Sequence, residues 1–527
     1  MNRAKGTLLS VTVILMQLSS ATAFGNDLQV IHVALTGDSP GSHAVVEFDL
    51  SWDNSWRNDL AGAGNATPFN YDATWVFVKF SSDGGETWQH ASLSSNSANH
   101  SVVNDNGVAA IIQAAADSRG VFIFRAQNGA GSNNWDDVRL RWDYAADGVS
   151  QITLSTIVNV LTLEMVYIPG NCFYLGDRSS SPLAGQFEAG TSGASFKVNS
   201  EASLTLGGGA ANSLGNNNNA GMAHADDFND ATSKTLPTDF PKGYNAFFAM
   251  KYEITQGQYA DFLNLLSASQ AAKRDVSLEG QYAEFRGSIS GNHPLFAAGV
   301  ENRACNFLSW IDGAAYADWA GLRPMSELEF EKICRGNGQA SVTGEYAWGN
   351  TDIVQATMLS GAEDGTELVA TIGANSVFGD VAFAGGNGGK GAVRGGIFAA
   401  GVNALDLPTE QRRDAGASIY GVMELSGNVW ERVVSVGKSQ GRSFIASHGD
   451  GSLTSTSGFE GNATNSDWPG IDGVQARGVT GATGSGFRGG SWSDVATLLR
   501  TSDRACATTP DTQRKNNFGF RCVRTTP

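Results

Sequence analysis

Gly486-Phe487-Arg488-Gly489-Gly490-Ser491-Trp492 is the stretch on which the reading of this chain turns. It is joined by Phe520-Arg521-Cys522-Val523-Arg524 after it and by Tyr420-Gly421-Val422-Met423-Glu424-Leu425-Ser426-Gly427-Asn428-Val429-Trp430-Glu431 before it. The blocks at 486–492 and 420–431 set glycine beside aromatic and charged residues. The composition extends that pattern: 65 of 527 residues are Gly and only 17% are charged, which describes a loop-rich fold rather than a helical one. A chain of this length exceeds one ordinary core and implies two or three domains.

The N-terminus reads as a secretory signal. Arg3 and Lys5 form a positive n-region, Leu8 to Leu18 is the apolar h-region, and Ala21-Thr22-Ala23 fits a small-residue cleavage site, so residues 1–23 are expected to be removed. The apolar run is shorter than the roughly 20 residues a membrane span needs. No later segment is apolar enough to cross a bilayer, and the protein is expected to be secreted, periplasmic or held at the cell surface. Lys and Arg total 35 against 52 Asp and Glu, a net charge of −17. That balance excludes nucleic acid as a partner, because phosphate affinity comes from Lys and Arg clusters, but it permits bound cations.

Residues 26–160 read as a small all-β sandwich. Ala44 to Trp52 and Thr74 to Phe80 are rich in β-branched and aromatic residues, while Val121 to Arg125 and Val138 to Trp142 alternate apolar with polar. Ser82-Asp83-Gly84-Gly85 and Gly129-Ala130-Gly131-Ser132 supply turns. Trp52, Trp56, Trp75, Trp88, Trp135 and Trp142 read first as core, with a carbohydrate platform as the other reading. Residues 161–527 form the second unit. A polar stretch at about 179–233 is too poor in hydrophobic residues to hold a core and reads as an inserted surface loop. Thr255 N-caps a helix to about Leu266, a second helix runs from Trp310 to Trp319 with Ser309 as cap, and Ser326 with Glu329 makes a capping box.

The ordered set of blocks resembles the formylglycine-generating-enzyme, or sulfatase-modifying-factor, family. Leu163-Glu164-Met165-Val166-Tyr167-Ile168-Pro169-Gly170 resembles its opening strand. Gly321-Leu322-Arg323-Pro324-Met325-Ser326-Glu327-Leu328-Glu329-Phe330-Glu331 and Tyr346-Ala347-Trp348-Gly349 follow in the family's order, ahead of the blocks quoted first. The resemblance implies an α+β, loop-rich, C-type-lectin-like fold. It also implies a calcium site in which Glu424 and Glu431 give side-chain oxygens and Gly427 and Val429 give carbonyls, a donor set that suits a hard cation. Family oxidases hold copper on two cysteines after the Gly-Gly-Ser motif. Those places hold Asp494 and Leu499 here, and neither replaces a soft thiolate ligand for Cu(I), so no copper is expected.

The resemblance further implies a Cys334–Cys506 disulfide. The family partner of Cys522 is Ala317 here, so Cys522 pairs with Cys172 or Cys305 or stays free; lectin-like folds set first and last strands side by side, which points to Cys172. The seven histidines are scattered and make no iron triad, and no nucleophile elbow, Walker loop or zinc-protease motif occurs. The expected function is that of an exported, non-catalytic binding module for an extracellular protein or glycan. Its ligand face would comprise Ser491, Trp492, Asp494, Thr497, Arg500, Asp503, Arg504 and Arg514. The alternative is an oxidoreductase or maturation factor acting on exported proteins such as sulfatases.

Overall fold

Alternation of apolar and polar residues builds the first half of the molecule. The computed structural model describes residues 27–58, 70–178, 183–282, 284–338, 340–401 and 408–527; the expected signal at 1–23 lies outside them. Besides the two-residue strand Gln89–His90, eight strands come first: β1 (Gln29–Ser39), β2 (His43–Asn58), β3 (Asn70–Ser81), β4 (Ser101–Asn104), β5 (Ala110–Ala114), β6 (Val121–Arg125), β7 (Gly129–Trp142) and β8 (Ile157–Ile168). β2 pairs antiparallel with β1 and β7, and β4 extends β7. β3 pairs with β8 and β6, and β6 with β5. Val46, Phe48, Leu50 and Trp52 from one layer meet Val76, Val78, Phe80, Val121 and Ile123 from the other in a single apolar cluster.

β3 has no solvent face. Its alternate residues Ala73, Trp75 and Phe77 point the other way, into a larger core with Phe248, Met250, Phe262 and Trp319 from the second half. Such a strand reads as a continuous apolar run because both of its faces need partners. Trp52, Trp75, Trp135 and Trp142 are all buried, so these four are core. Their indole N–H groups are satisfied: Trp52 donates to Asp72 at 2.9 Å, and Trp75 to the Ala320 carbonyl at 2.9 Å.

β8 runs through residue 160 without interruption. It pairs with β3 from Ile157 to Val166, and with β9 (Phe247–Met250) from Met165 to Ile168. Beyond β9 come β10 (Arg323–Ser326), β11 (Trp430–Val434), β12 (Ser485–Arg488) and β13 (Cys522–Thr525). The order across the sheet is β12-β11-β10-β13-β9-β8-β3-β2-β7-β4, the main path of a fifteen-stranded sheet. Besides the short helices Pro408–Asp414 and Ser439–Arg442, four helices accompany it: α1 (Gln256–Asn264), α2 (Ala268–Arg274), α3 (Trp310–Trp319) and α4 (Glu327–Arg335). Each opens on a capping box, from Thr255, Ser267, Ser309 and Ser326 respectively. The fold is mixed, rich in sheet with few and short helices. No helix among the described residues is long and apolar enough to cross a membrane.

The stretch from 183 to 233 differs from the surface loop expected there. Glu188–Ala189, Leu204–Leu206 and Leu214–Gly215 join Lys234–Leu236 in a small sheet, and Phe196–Val198 pairs with Phe173–Leu175. Phe187, Phe196, Leu206, Leu214 and Phe228 are buried in the main core. Each such side chain gains about 1.5–3 kcal/mol from burial, so a few well-placed residues anchor a run that is polar on average.

Candidate functional site

The turn before β11 is wound tightly. Glu424, Gly427 and Asn428 have φ of 59°, 105° and 60°. At Gly427 a Cβ would lie 2.5 Å from the Ser376 hydroxyl and the Val377 carbonyl, so only glycine fits. The turn delivers Glu424 and Glu431 into a buried acidic cluster. Glu424 Oε1 accepts the Gly396 N–H at 2.8 Å, and Glu431 Oε1 accepts Arg521 Nε at 2.9 Å and Nη2 at 2.8 Å. Glu253, which the sequence reading did not single out, accepts Asn428 Nδ2 at 3.0 Å and the Val429 N–H at 3.4 Å.

Burial drives the electrostatics here. It raises the Glu253 pKa well above the usual carboxylate range against the pull of Arg521, and Glu424 and Glu431 raise it further. Burial pushes Glu424 up to about 7, and Glu431 adds to the rise. Of the three clustered carboxylates, only Glu431 is hydrogen-bonded to the Arg521 guanidinium. Glu424 Oε2 and Glu431 Oε2 are buried without a hydrogen-bond partner among the described residues. Two orphaned oxygens in an excess of negative charge fit a hard cation whose remaining ligands are carbonyls. No group of three or more His, Cys, Asp or Glu side chains is arranged to hold a metal among the described residues, so carbonyls such as those of Gly427 and Val429 would have to complete the shell.

The loop after Gly489-Gly490 places the expected ligand face unevenly. Ser491 is buried and donates to the Asp494 carboxylate, while Asn517 Nδ2 donates to Ser491 Oγ at 3.1 Å. Burial raises the Asp494 pKa. Trp492 is buried, stacks on Phe285 at 5.3 Å and donates to the Asn516 carbonyl at 3.2 Å. Leu499 lies in an apolar cluster with Tyr346 and Trp348. Thr497 is exposed, and Arg500 is partly buried against Gly344. Asp503 is buried, which pushes its pKa up to about 6.

Arg504 does not face outward, and Arg514 does so only in part. Arg504 is fully buried between Asp226, at 2.8 Å, and Glu327, at 2.7 Å. Arg514 holds both carboxylate oxygens of Asp312, at 2.8 and 2.7 Å. The Arg504 pairs are set deep in the fold, whereas the Arg514 side chain keeps 18% of its surface exposed.

The expected disulfides are also corrected. Cys172, Cys305, Cys334, Cys506 and Cys522 are all free. Cys334 on α4 packs with Val166, Met325 and Val433, whereas Cys506 packs against the Trp430, Phe487 and Phe518 cluster, and the two thiols sit in different cores. Cys522 is buried with Met250 and Phe262 in the main core, while Cys172 lies partly exposed with its carbonyl accepting the Gly338 N–H at 2.9 Å. Burial pushes the Cys506 thiol up to about 11, with Asp503 and Asp494 adding to the rise, so it stays protonated at neutral pH.

A cleft of about 530 Å³ includes Phe285, the residue whose ring stacks on Trp492, in its lining. Arg286, Arg303, Asn387, Gly388, Gly389 and Lys390 line it with Phe285. The sequence reading singled out none of them.

The family described as sulfatase-modifying factor enzyme 1-like domain matches residues 195–526. No curated protein matches the chain. Among solved structures, Treponema denticola variable protein 1 aligns at 14% identity and a TM-score of 0.31, over 69% of this chain and 96% of that one. With the match spanning more than half of its length, the chain belongs to the sulfatase-modifying factor enzyme 1-like family.

Proposed function

We propose that this protein is an exported, calcium-bound, C-type-lectin-like binding member of its family, and that it does not perform the family's copper-dependent oxidation. One observation carries the reading. The places of the copper thiolates hold Asp494, tied to Ser491, and Leu499, sealed against Tyr346 and Trp348. Leu499 has no donor atom, and a carboxylate is a hard ligand that suits Cu(I) poorly. Cys506, close enough to feel Asp494, is held as the neutral thiol and offers no substitute.

What remains is a rigid scaffold with loops around Trp492, the arrangement in which recognition sites commonly lie. Glu424 and Glu431, with the carbonyls of Gly427 and Val429, would hold calcium and stiffen those loops. The ligand would be an extracellular protein or glycan. The test is elemental analysis of the purified full-length chain after Cu(I) and Ca²⁺ loading, followed by oxygen consumption with a Cys-containing sulfatase-motif peptide. Stoichiometric calcium, no copper and no turnover are expected. Stoichiometric copper with oxidation of the peptide would overturn the reading and restore a maturation enzyme.

A further inference from the structure

The chain enters the turn that carries Glu424 through residues 420–423, and the N-terminal half of the molecule takes hold of that entry. Asn70 Nδ2, at the start of β3, donates to the Tyr420 carbonyl at 2.6 Å. The next residue, Gly421, has φ of 85°, and a Cβ there would lie 2.9 Å from the Trp56 ring. Only glycine lets the indole close on the backbone at this point. Trp56, near the end of β2, packs against the apolar cluster that contains Tyr420, Val422 and Leu425.

Trp56 is itself fixed. Its indole N–H donates to Asn70 Oδ1 at 3.3 Å, and its backbone N–H donates to Asp72 Oδ1 at 3.0 Å. The Lys251 ammonium lies over its ring at 4.9 Å and pairs with Glu164 at 3.2 Å. The Lys251 carbonyl accepts the Met423 N–H at 3.0 Å, so one lysine meets Trp56 with its side chain and the turn with its backbone. Arg521, bonded to Glu431 at the far end of the turn, also donates to the Met423 carbonyl at 2.7 Å. Entry and exit are tied to each other by Arg521, and the entry is set against the rest of the fold by β2 and β3.

Glu424 follows at once, with φ of 59°. A small rotation at 420–423 therefore swings its carboxylate and the carbonyls of Gly427 and Val429 together. Groups behind a metal ligand govern how well it is aimed, and losing one commonly lowers affinity about tenfold or more. We propose that the N-terminal half braces the calcium turn, with Trp56 and Asn70 as positioning residues that set its affinity for the ion. The proposal rests on the calcium reading above and gives the first half of the molecule a part in it. By linkage, calcium held at the turn strengthens the grip between the turn and the two residues in equal measure.

Calorimetric titration of the full-length chain with CaCl2, beside thermal unfolding with and without calcium, tests this. Asn70→Ala and Trp56→Ala should each weaken calcium binding at least about tenfold and shrink the calcium-induced rise in Tm. Asn70→Ala is the milder change and decides the matter if Trp56→Ala does not fold. Trp56→Phe keeps an aromatic ring against Gly421 and should recover most of the affinity. Val46→Ala, in the sandwich core away from the turn, should lower Tm yet bind calcium as the parent does. Asn70→Ala and Trp56→Ala binding as tightly as the parent would overturn the brace. So would an equal loss in Val46→Ala, which would assign the effect to general stability. A parent chain that takes up no calcium would sink the calcium reading itself, and the brace with it.

Discussion

Arg504 and Arg500 carry the same guanidinium four residues apart, yet one is sealed in the core and the other reaches partly to the surface. The difference comes from Asp226 and Glu327, which the fold brings to Arg504 from two other segments. Replacing Arg504 with Leu would strand both carboxylates in an apolar setting. The expected loss is about 3–5 kcal/mol, read from the urea midpoint, because removing one partner leaves the others' burial uncompensated. A midpoint equal to the parent's would return Arg504 to the ligand face. The same contrast separates what the sequence disclosed from what it hid. Glu424 and Glu431 stand out because their spacing lies within one turn. Glu253, Arg286 and Arg303 do not, since their meaning depends on partners such as Asn428 and Glu363 that lie far along the chain.

Helices α1, α3 and α4 begin where the sequence places them, since a capping box is a local device of four residues. At α1, Thr255 Oγ1 accepts the Gln258 N–H at 3.2 Å, while the Gln258 side chain takes the Thr255 N–H at 3.0 Å. Thr255→Ala is expected to cost about 1 kcal/mol in chemical denaturation, with Thr255→Ser recovering most of it. Equal losses for both would assign the effect to the Thr methyl instead. At α4 the capping Glu329 also takes both Arg323 nitrogens, at 2.9 and 2.7 Å, so cap and strand β10 are locked together. The strands around Val46, Val76 and Val121 were equally legible, because their periodicity is short. The small sheet within 183–233 was not. Its apolar residues are isolated in a polar run, and only the core waiting at Phe187 and Leu206 gives them an order.

Across the whole molecule, burial of carboxylates couples stability to pH in two opposed ways. Burial pushes Asp72 up to about 6, and Asp261 and Asp318 up to about 7, all above the ordinary value of 3.8. The folded state therefore holds these protons more tightly than the unfolded one, and their contribution declines as pH rises from about 4 to 7. Asp226, Asp312 and Glu331 behave oppositely. Although burial opposes it, Arg504, Arg514 and Arg488 hold them below the usual range, and the stability they give is lost as pH falls through their depressed values. The molecule should be most stable near about pH 5, and weaker at pH 8 by a few kcal/mol in matched urea titrations. A flat profile between those values would mean that water reaches Asp72, Asp261 and Asp318. The sheet itself imposes a timetable. β13, made from residues 522–525, fills the gap between β9 and β10, both of which precede it by long stretches of chain. While the chain is being made N-terminus first, those two edges stay open, so the second half cannot close its sheet until synthesis has passed Thr525. Until β13 arrives, the edges of β9 and β10 are exposed to edge-to-edge pairing.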